Sequence, residues 1–309
     1  MNKWLALMIT LLLAGGAAAQ QLPPGGQEFQ AGVKALETKD WDAAIKAFEL
    51  ALAVNTDLFA SHYFLGVAYE ATKSYAKAAE HFTKYLERVG NNPDAAQQIA
   101  YATRQAGLAL ARVNDPAAIP LLEKAAAAKP NDKDVHHALA VTLVRNNQAA
   151  EAEQHFLKVI QLDPNLARPY YFAGRAAFSN ERWADAQRLL SKYLELGPEE
   201  AWEADTHFML GSMAIRQGEG AGDLAAAQAT AKEHFNKLLE LKPNAPEAPQ
   251  AHYYLGSLAA QSEDWATARM HYQSYLQLQP QGAQAEEVKQ FLADLAEDEA
   301  AAKAEAANN

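Results

Sequence analysis

Cysteine is missing from all 309 residues of the chain, which excludes disulfides, thiolate metal sites and cysteine nucleophiles together. Basic residues are outnumbered: 27 Lys and Arg face 38 Asp and Glu, for a formal charge of -11. That balance argues against nonspecific binding to nucleic acid or anionic membrane, since both need a basic surface. Proline and glycine are modest, at 13 and 16 residues, and aromatics make up an ordinary 9%. Half of the chain is hydrophobic, much of it alanine, so the composition is that of a helical folder and not of a disordered chain. The apolar run at the N-terminus, Trp4 to Leu13, is shorter than the roughly 20 residues a membrane-spanning helix needs.

That N-terminal run has the layout of a secretory signal. Lys3 precedes it, and a Gly-Gly break leads to Ala17, Ala18 and Ala19, small residues of the kind a signal peptidase cuts after. We expect residues 1–19 to be a cleaved signal peptide and 20–27 a short leader. With no cysteine after the run, a bacterial lipoprotein anchor is excluded. The expected location is the periplasm, with no integral membrane segment left after cleavage.

The rest of the chain is periodic. A glycine, or alanine in its place, recurs at Gly32, Gly66, Gly107, Ala140, Gly174, Gly211 and Gly256, and the steps from 32 to 66 and from 140 to 174 are each 34 residues. Twelve residues beyond this slot stands alanine: Ala44, Ala78, Ala152, Ala186 and Ala268. Four further on is a bulky residue, Phe48, Phe82, Phe156, Leu190 or Tyr272, and in three units Pro164, Pro198 or Pro280 closes the pattern. Positions four before, at, and three after the slot share one face of a helix. A small residue there lets a second helix approach, and proline ends that second helix.

"HYYLGSLAAQSEDWATARMHYQSYLQLQP" (252–280) and "YYFAGRAAFSNERWADAQRLLSKYLELGP" (170–198) carry the pattern best. It resembles the tetratricopeptide repeat, with Trp-x2-Leu-Gly-x2-Tyr, then Ala-x3-Phe, then Pro over 34 residues. Trp41, Trp183 and Trp265 match the family's aromatic at the turn into the second helix. The resemblance implies an all-α fold, a right-handed superhelical solenoid of about seven helix hairpins plus a C-terminal capping helix. The repeats cover 28–281, bounded near 25–58, 59–92, 93–132, 133–166, 167–200, 201–246 and 247–281. Residues 282–297 are expected to cap the array, with Val288, Phe291, Leu292 and Leu295 as the apolar stripe, and 298–309 to form a tail. The third repeat has a long lead-in that lengthens its first helix. The sixth carries a glycine-rich insert, 216–230, expected to be a loop with an extra helical turn. It lacks the Gly-Lys-Ser/Thr and preceding strand of a phosphate loop.

The nine histidines follow the repeat. His62, His136, His207 and His252 stand four residues before the glycine slot; His81, His155, His234 and His271 stand one before the bulky position. No helix carries His-x3-His, and the adjacent His136 and His137 point about 100° apart on a helix. The expectation is therefore packing histidines, with no metal and no cofactor. No Gly-x-Ser-x-Gly or His-Glu-x-x-His pattern is present, so no catalytic residues are proposed and the chain is read as a non-enzyme. The acid pairs Glu199-Glu200 and Glu286-Glu287 fit helix starts, where carboxylates stabilise exposed amides.

One helical step from the packing stripe lies a second row: Phe29, Tyr63, Arg104, His137, Tyr171, Phe208 and Tyr253. Arg175 is close by, and Arg112, Arg145 and Arg216 follow at one residue past the third row. By resemblance, first helices line a concave groove, and aromatics with arginines are enriched at binding hot spots. The candidate groove set is therefore Phe29, Tyr63, Arg104, Tyr171, Arg175, Phe208, Arg216 and Tyr253. Arginines in an acidic chain hint at a ligand bearing carboxylates. The lysine and asparagine clamp of chaperone-binding relatives is not expected: no lysine stands in the first row, and Val67, Val141, Ser212 and Ser257 occupy the asparagine positions. The reading is an exported noncatalytic scaffold binding a protein or peptide, with no nucleic-acid partner. The alternative is a structural accessory of an envelope-assembly, cell-division or polysaccharide-export complex.

Overall fold

A computed structural model describes residues 22–219 and 223–308. The signal peptide expected over 1–19 lies outside the described residues. Among those described, fifteen α-helices and one 3-10 turn (Pro93–Ala95) account for the regular structure, and no strand occurs. The chain divides into an N-terminal unit, Met1–Gln148, and a C-terminal unit, Ala149–Asn309. The division falls inside the fourth repeat.

The N-terminal unit holds α1 (Gly26–Glu37), α2 (Trp41–Val54), α3 (Ala60–Ala71), α4 (Tyr75–Val89), α5 (Ala96–Arg112), α6 (Ala118–Ala128) and α7 (Lys133–Arg145). Each helix packs on the next, and the first helices α3, α5 and α7 also touch in succession. The C-terminal unit holds α8 (Ala149–Leu162), α9 (Ala167–Ser179), α10 (Trp183–Glu195), α11 (Glu200–Glu219), α12 (Leu224–Leu241), α13 (Ala248–Gln261), α14 (Trp265–Leu278) and α15 (Ala285–Asn308). There too each helix packs on the next, with α9 against α11. Sequential hairpins with first helix against first helix are the stacking of an all-α solenoid.

The hairpin turns share one local design. Lys39, Lys73, Asn114, Asn147, Glu181 and Glu263 end their first helices with φ between 56° and 61°. The next residue's amide then bonds five back, as Asp40 N–H does to the Ala35 carbonyl at 2.9 Å, which satisfies helix-end carbonyls. Asp40 and Asp264 then cap the second helices, accepting from the Ala43 and Thr267 amides at 3.1 Å. Trp41, Trp183 and Trp265 are the first residues of their helices, as the repeat pattern requires.

Packing follows the period read from the sequence. The alanine-slot residues Ala44, Ala78, Ala152, Ala186 and Ala268 are fully buried. At Gly66 a Cβ would lie 2.7 Å from the Phe82 ring, and at Gly256 2.7 Å from the Tyr272 ring. The slot is thus the floor on which the bulky residue of the second helix rests. In the first repeats Phe29, Phe48 and Phe64 meet at ring distances of 5.3 to 5.7 Å, contacts worth about 1 kcal/mol each beyond their burial.

Three features differ from the expected layout. α1 begins at Gly26, inside the stretch assigned to the leader. In the sixth repeat α11 and α12 run to 20 and 18 residues and take up most of the insert. The last helix continues from Ala285 to Asn308, through the residues expected to form a tail. Its stripe docks as anticipated: Val288 and Leu295 are buried, and Phe291 meets the Tyr272 ring at 4.9 Å. No described helix is long and apolar enough to cross a membrane.

Candidate functional site

In the N-terminal unit the row expected to face a partner is partly spent on packing. Phe29 is 5% exposed and belongs to the core, so its ring offers no surface to a ligand. Tyr63 is half-buried among Phe64, Phe82, Tyr85 and Tyr101, with Tyr101 at 5.8 Å. Burial among these rings pushes its hydroxyl well above the usual tyrosine range. Arg104 makes a two-pronged pair with Asp132, Nε at 2.7 Å and Nη2 at 3.2 Å, and reaches Asp134 at 3.4 Å. Its Nη1 also donates to Gln105, which bonds Glu70, and Tyr101 donates to Glu70 at 3.4 Å. The face therefore presents aromatic edges beside a connected polar network. Tyr101, 38% exposed, is the residue the sequence reading missed. It stands three before Arg104 on the lengthened α5, an offset that keeps both on one helix face.

The C-terminal unit repeats the theme. Tyr171 is 2% exposed, stacks on Trp202 at 5.0 Å, and donates to Asp205, one repeat further on, at 2.6 Å. It ties hairpins together and is not free for a partner. Tyr253 likewise donates to Glu287 at 3.0 Å across one repeat, and burial, with Glu287 helping, pushes it up to about 12. Phe208 is half-buried against Phe235 at 6.1 Å. Arg175 is exposed and borders Tyr171. Arg216 lies elsewhere, over the Trp183 ring at the hairpin tips, 5.1 Å from its centre. Arg112 does the same over Tyr75 at 4.8 Å. Both arginines stand four residues past the second position of the stripe, on its flank, and are engaged by these rings. Arg145 bonds Asn114, and His137 is half-buried.

The histidines reveal an arrangement that repeat spacing left hidden. His62 and His81 meet with Nδ1 atoms 2.9 Å apart, His207 and His234 at 2.8 Å, and His252 and His271 at 2.9 Å. Each pair joins the first helix of a hairpin to its second. Ring centres lie 5.1, 5.1 and 5.2 Å apart. Centres that far apart with nitrogens this close mean the two Nδ1 atoms point at one another. One ring donates and the other accepts, so the bond stands only while the accepting Nδ1 is unprotonated. Burial, reinforced by the neighbouring imidazole, lowers His62, His207 and His271 to about 4. Among the described residues no group of three or more His, Asp or Glu is placed to hold a metal. His136, from the fourth repeat, bonds the Pro130 carbonyl through Nε2 at 3.1 Å. The two histidine sets were visible in sequence. Their convergence was not, because the partners lie 19 or 27 residues apart on different helices.

A tetratricopeptide repeat family model matches residues 29–96 and 229–283, and a second one matches 116–165. Among curated proteins there is no match. The C-terminal part of a TPR repeat-containing protein from Cytophaga hutchinsonii is 19% identical and aligns over 84% of this chain and 98% of its own, with TM-score 0.53. YrrB, described as a TPR protein with an unusual peptide-binding site, is 21% identical over 56% of this chain and 86% of its own, TM-score 0.46. MamA is 20% identical over 61% and 96%, TM-score 0.47. With repeat models matching more than half of its length, the chain belongs to the tetratricopeptide repeat family.

Proposed function

We propose that the protein is an exported, noncatalytic scaffold that holds an extended peptide segment of a partner along the face formed by its first helices. The observation that carries this reading is the exposed aromatic edge of Tyr101 beside Tyr63 and the Arg104 network in the N-terminal unit. Rigid aromatic area next to fixed guanidinium donors is the chemistry of interaction hot spots. The aromatic edges of Tyr101 and Tyr63 supply affinity, and the Arg104 network beside them forms the polar border of the face. Export to the periplasm rests on the N-terminal signal pattern alone.

A photocrosslinking amino acid placed at Tyr101 tests the site in cells. Adducts at position 101 with none at Leu50, 53% exposed on the second helix α2, support the groove. Adducts at Leu50 or on the C-terminal helix, with position 101 silent, would favour the accessory reading instead. Replacing Tyr63 and Tyr101 with alanine should abolish capture of the crosslinked partner while helicity is retained. Fractionation of cells expressing the full chain tests export: recovery only in the cytoplasm overturns it.

A further inference from the structure

We propose that the facing histidine pairs His62–His81, His207–His234 and His252–His271 are two-coordinate sites for a monovalent d10 metal ion, copper(I) in chemical class. This inference is independent of the groove. Its basis is geometric. In each pair two imidazole nitrogens of opposite helices aim at a common midpoint, at 2.8 to 2.9 Å, with ring centres on nearly the same line. A hydrogen-bonded proton now occupies that midpoint. An ion that accepts two nitrogens in a line can take its place once the rings part by somewhat less than 1 Å. Imidazole is a ligand for copper, and geometry discriminates among metals that bind nitrogen.

The ligand count decides which ions do not fit. Each site offers two protein donors, whereas a structural zinc site needs four and a catalytic one three. No third His, Asp or Glu joins any pair among the described residues. A digonal ion needs none. Charge around two of the pairs is mixed: at His62–His81 the cations Lys77, Lys84 and Arg88 stand against Glu49 and Glu80, and at His207–His234 Lys237 stands against Glu233. No lysine, arginine or carboxylate acts on His252 or His271, so that pair is the cleanest site. Five of the six rings are half-buried and His271 is buried, and His234 also lines a cavity of about 270 Å³ that Met213 and Asp223 border.

Binding conserves protons. Each neutral ring carries one N–H. The donor ring gives up its Nδ1 proton and takes one at Nε2, the ion bonds both Nδ1 lone pairs, and no net proton is released. Copper stays in the state in which it arrives, so the step needs no oxidant or reductant. The helices of one hairpin are then joined by a coordinate link at three places in the array.

The test is anaerobic titration of the purified full chain with copper(I) against bicinchoninate as competing chelator. We expect at least three tight equivalents, with one lost in His252→Phe/His271→Phe and two when His207→Phe/His234→Phe is added. X-ray absorption of the copper(I) form should show two short nitrogen bonds in a linear arrangement. Since a variant that fails to fold would lose binding trivially, silver(I), a redox-inert stand-in, is added to the unaltered protein and followed by NMR. The ring protons of the six paired histidines should shift while those of His137 stay in place. No competition with the chelator, three-coordinate copper, silver shifts confined to methionines, or full stoichiometry in the folded paired variants would each overturn the proposal.

Discussion

The His252–His271 pair makes a pH dependence that can be worked out from its surroundings. Its Nδ1–Nδ1 bond exists only while one ring accepts, so protonation of the accepting Nδ1 removes the bond and leaves a cation against the partner ring's N–H. Burial, with the neighbouring ring, lowers His271 to about 4, and burial lowers His252 as well. An unfolded chain binds the same proton near 6.5. Between about pH 6.5 and 4 the unfolded state therefore holds more protons, and stability falls as pH drops through that window. For one ring passing from pH 7.5 to 4.5 the linkage amounts to at most about 2.5 kcal/mol. Solvent screening at rings that keep some contact with water brings the expected loss to about 1 to 2.5 kcal/mol.

The assay has two arms. NMR titration of the folded protein should place His271 below pH 5. Urea unfolding at pH 7.5 and 4.5 should give a midpoint drop in the parent that shrinks in His252→Asn/His271→Asn. That variant keeps an amide donor and acceptor near the Nδ1 positions and cannot titrate. The other pairs continue to respond, so the slope diminishes and does not vanish. A folded-state His271 that titrates near 6.5, or an unchanged slope in the double variant, would refute the reasoning.

Other predictions follow from packing and backbone geometry. Gly66→Ala drives a methyl into the buried Phe82 ring; despite alanine's helix preference, we expect a net loss of about 1 to 2 kcal/mol by urea denaturation, and a gain would mean that the slot is not tight. Lys73→Gly relieves a φ of 59° at the α3–α4 turn, and thermal or urea melts should show about 0.5 to 1 kcal/mol of stabilisation. Tyr193 accepts from the Glu199 amide at 2.7 Å and donates to its carbonyl, so Tyr193→Phe should cost about 1 to 2 kcal/mol and speed exchange of the Glu199 amide.

The fold was legible because the repeat states each contact several times over. A small residue at 66 and a bulky one at 82 are sixteen residues apart in a pattern that returns at 174 and 190 and at 256 and 272. Several copies of one spacing fix which helix faces which. The binding face was less legible. Tyr171, Tyr253 and Tyr63 share one register, yet Tyr171 is buried against Trp202 and tied to Asp205, whereas Tyr63 keeps an edge beside exposed Tyr101. What separates them is the residue supplied by the next repeat, and a single-repeat pattern does not contain it. The surroundings of Arg216 were hidden for a related reason: Trp183, the ring it covers, comes from the preceding repeat. The histidines show the same limit most clearly. The repeat spacing places the two sets in separate columns. Pairing them needs the placement of the two helices of one hairpin, which the single-helix pattern does not state. The hairpin that seats the Tyr272 ring on Gly256 is the one whose helices bring His252 and His271 to a common point.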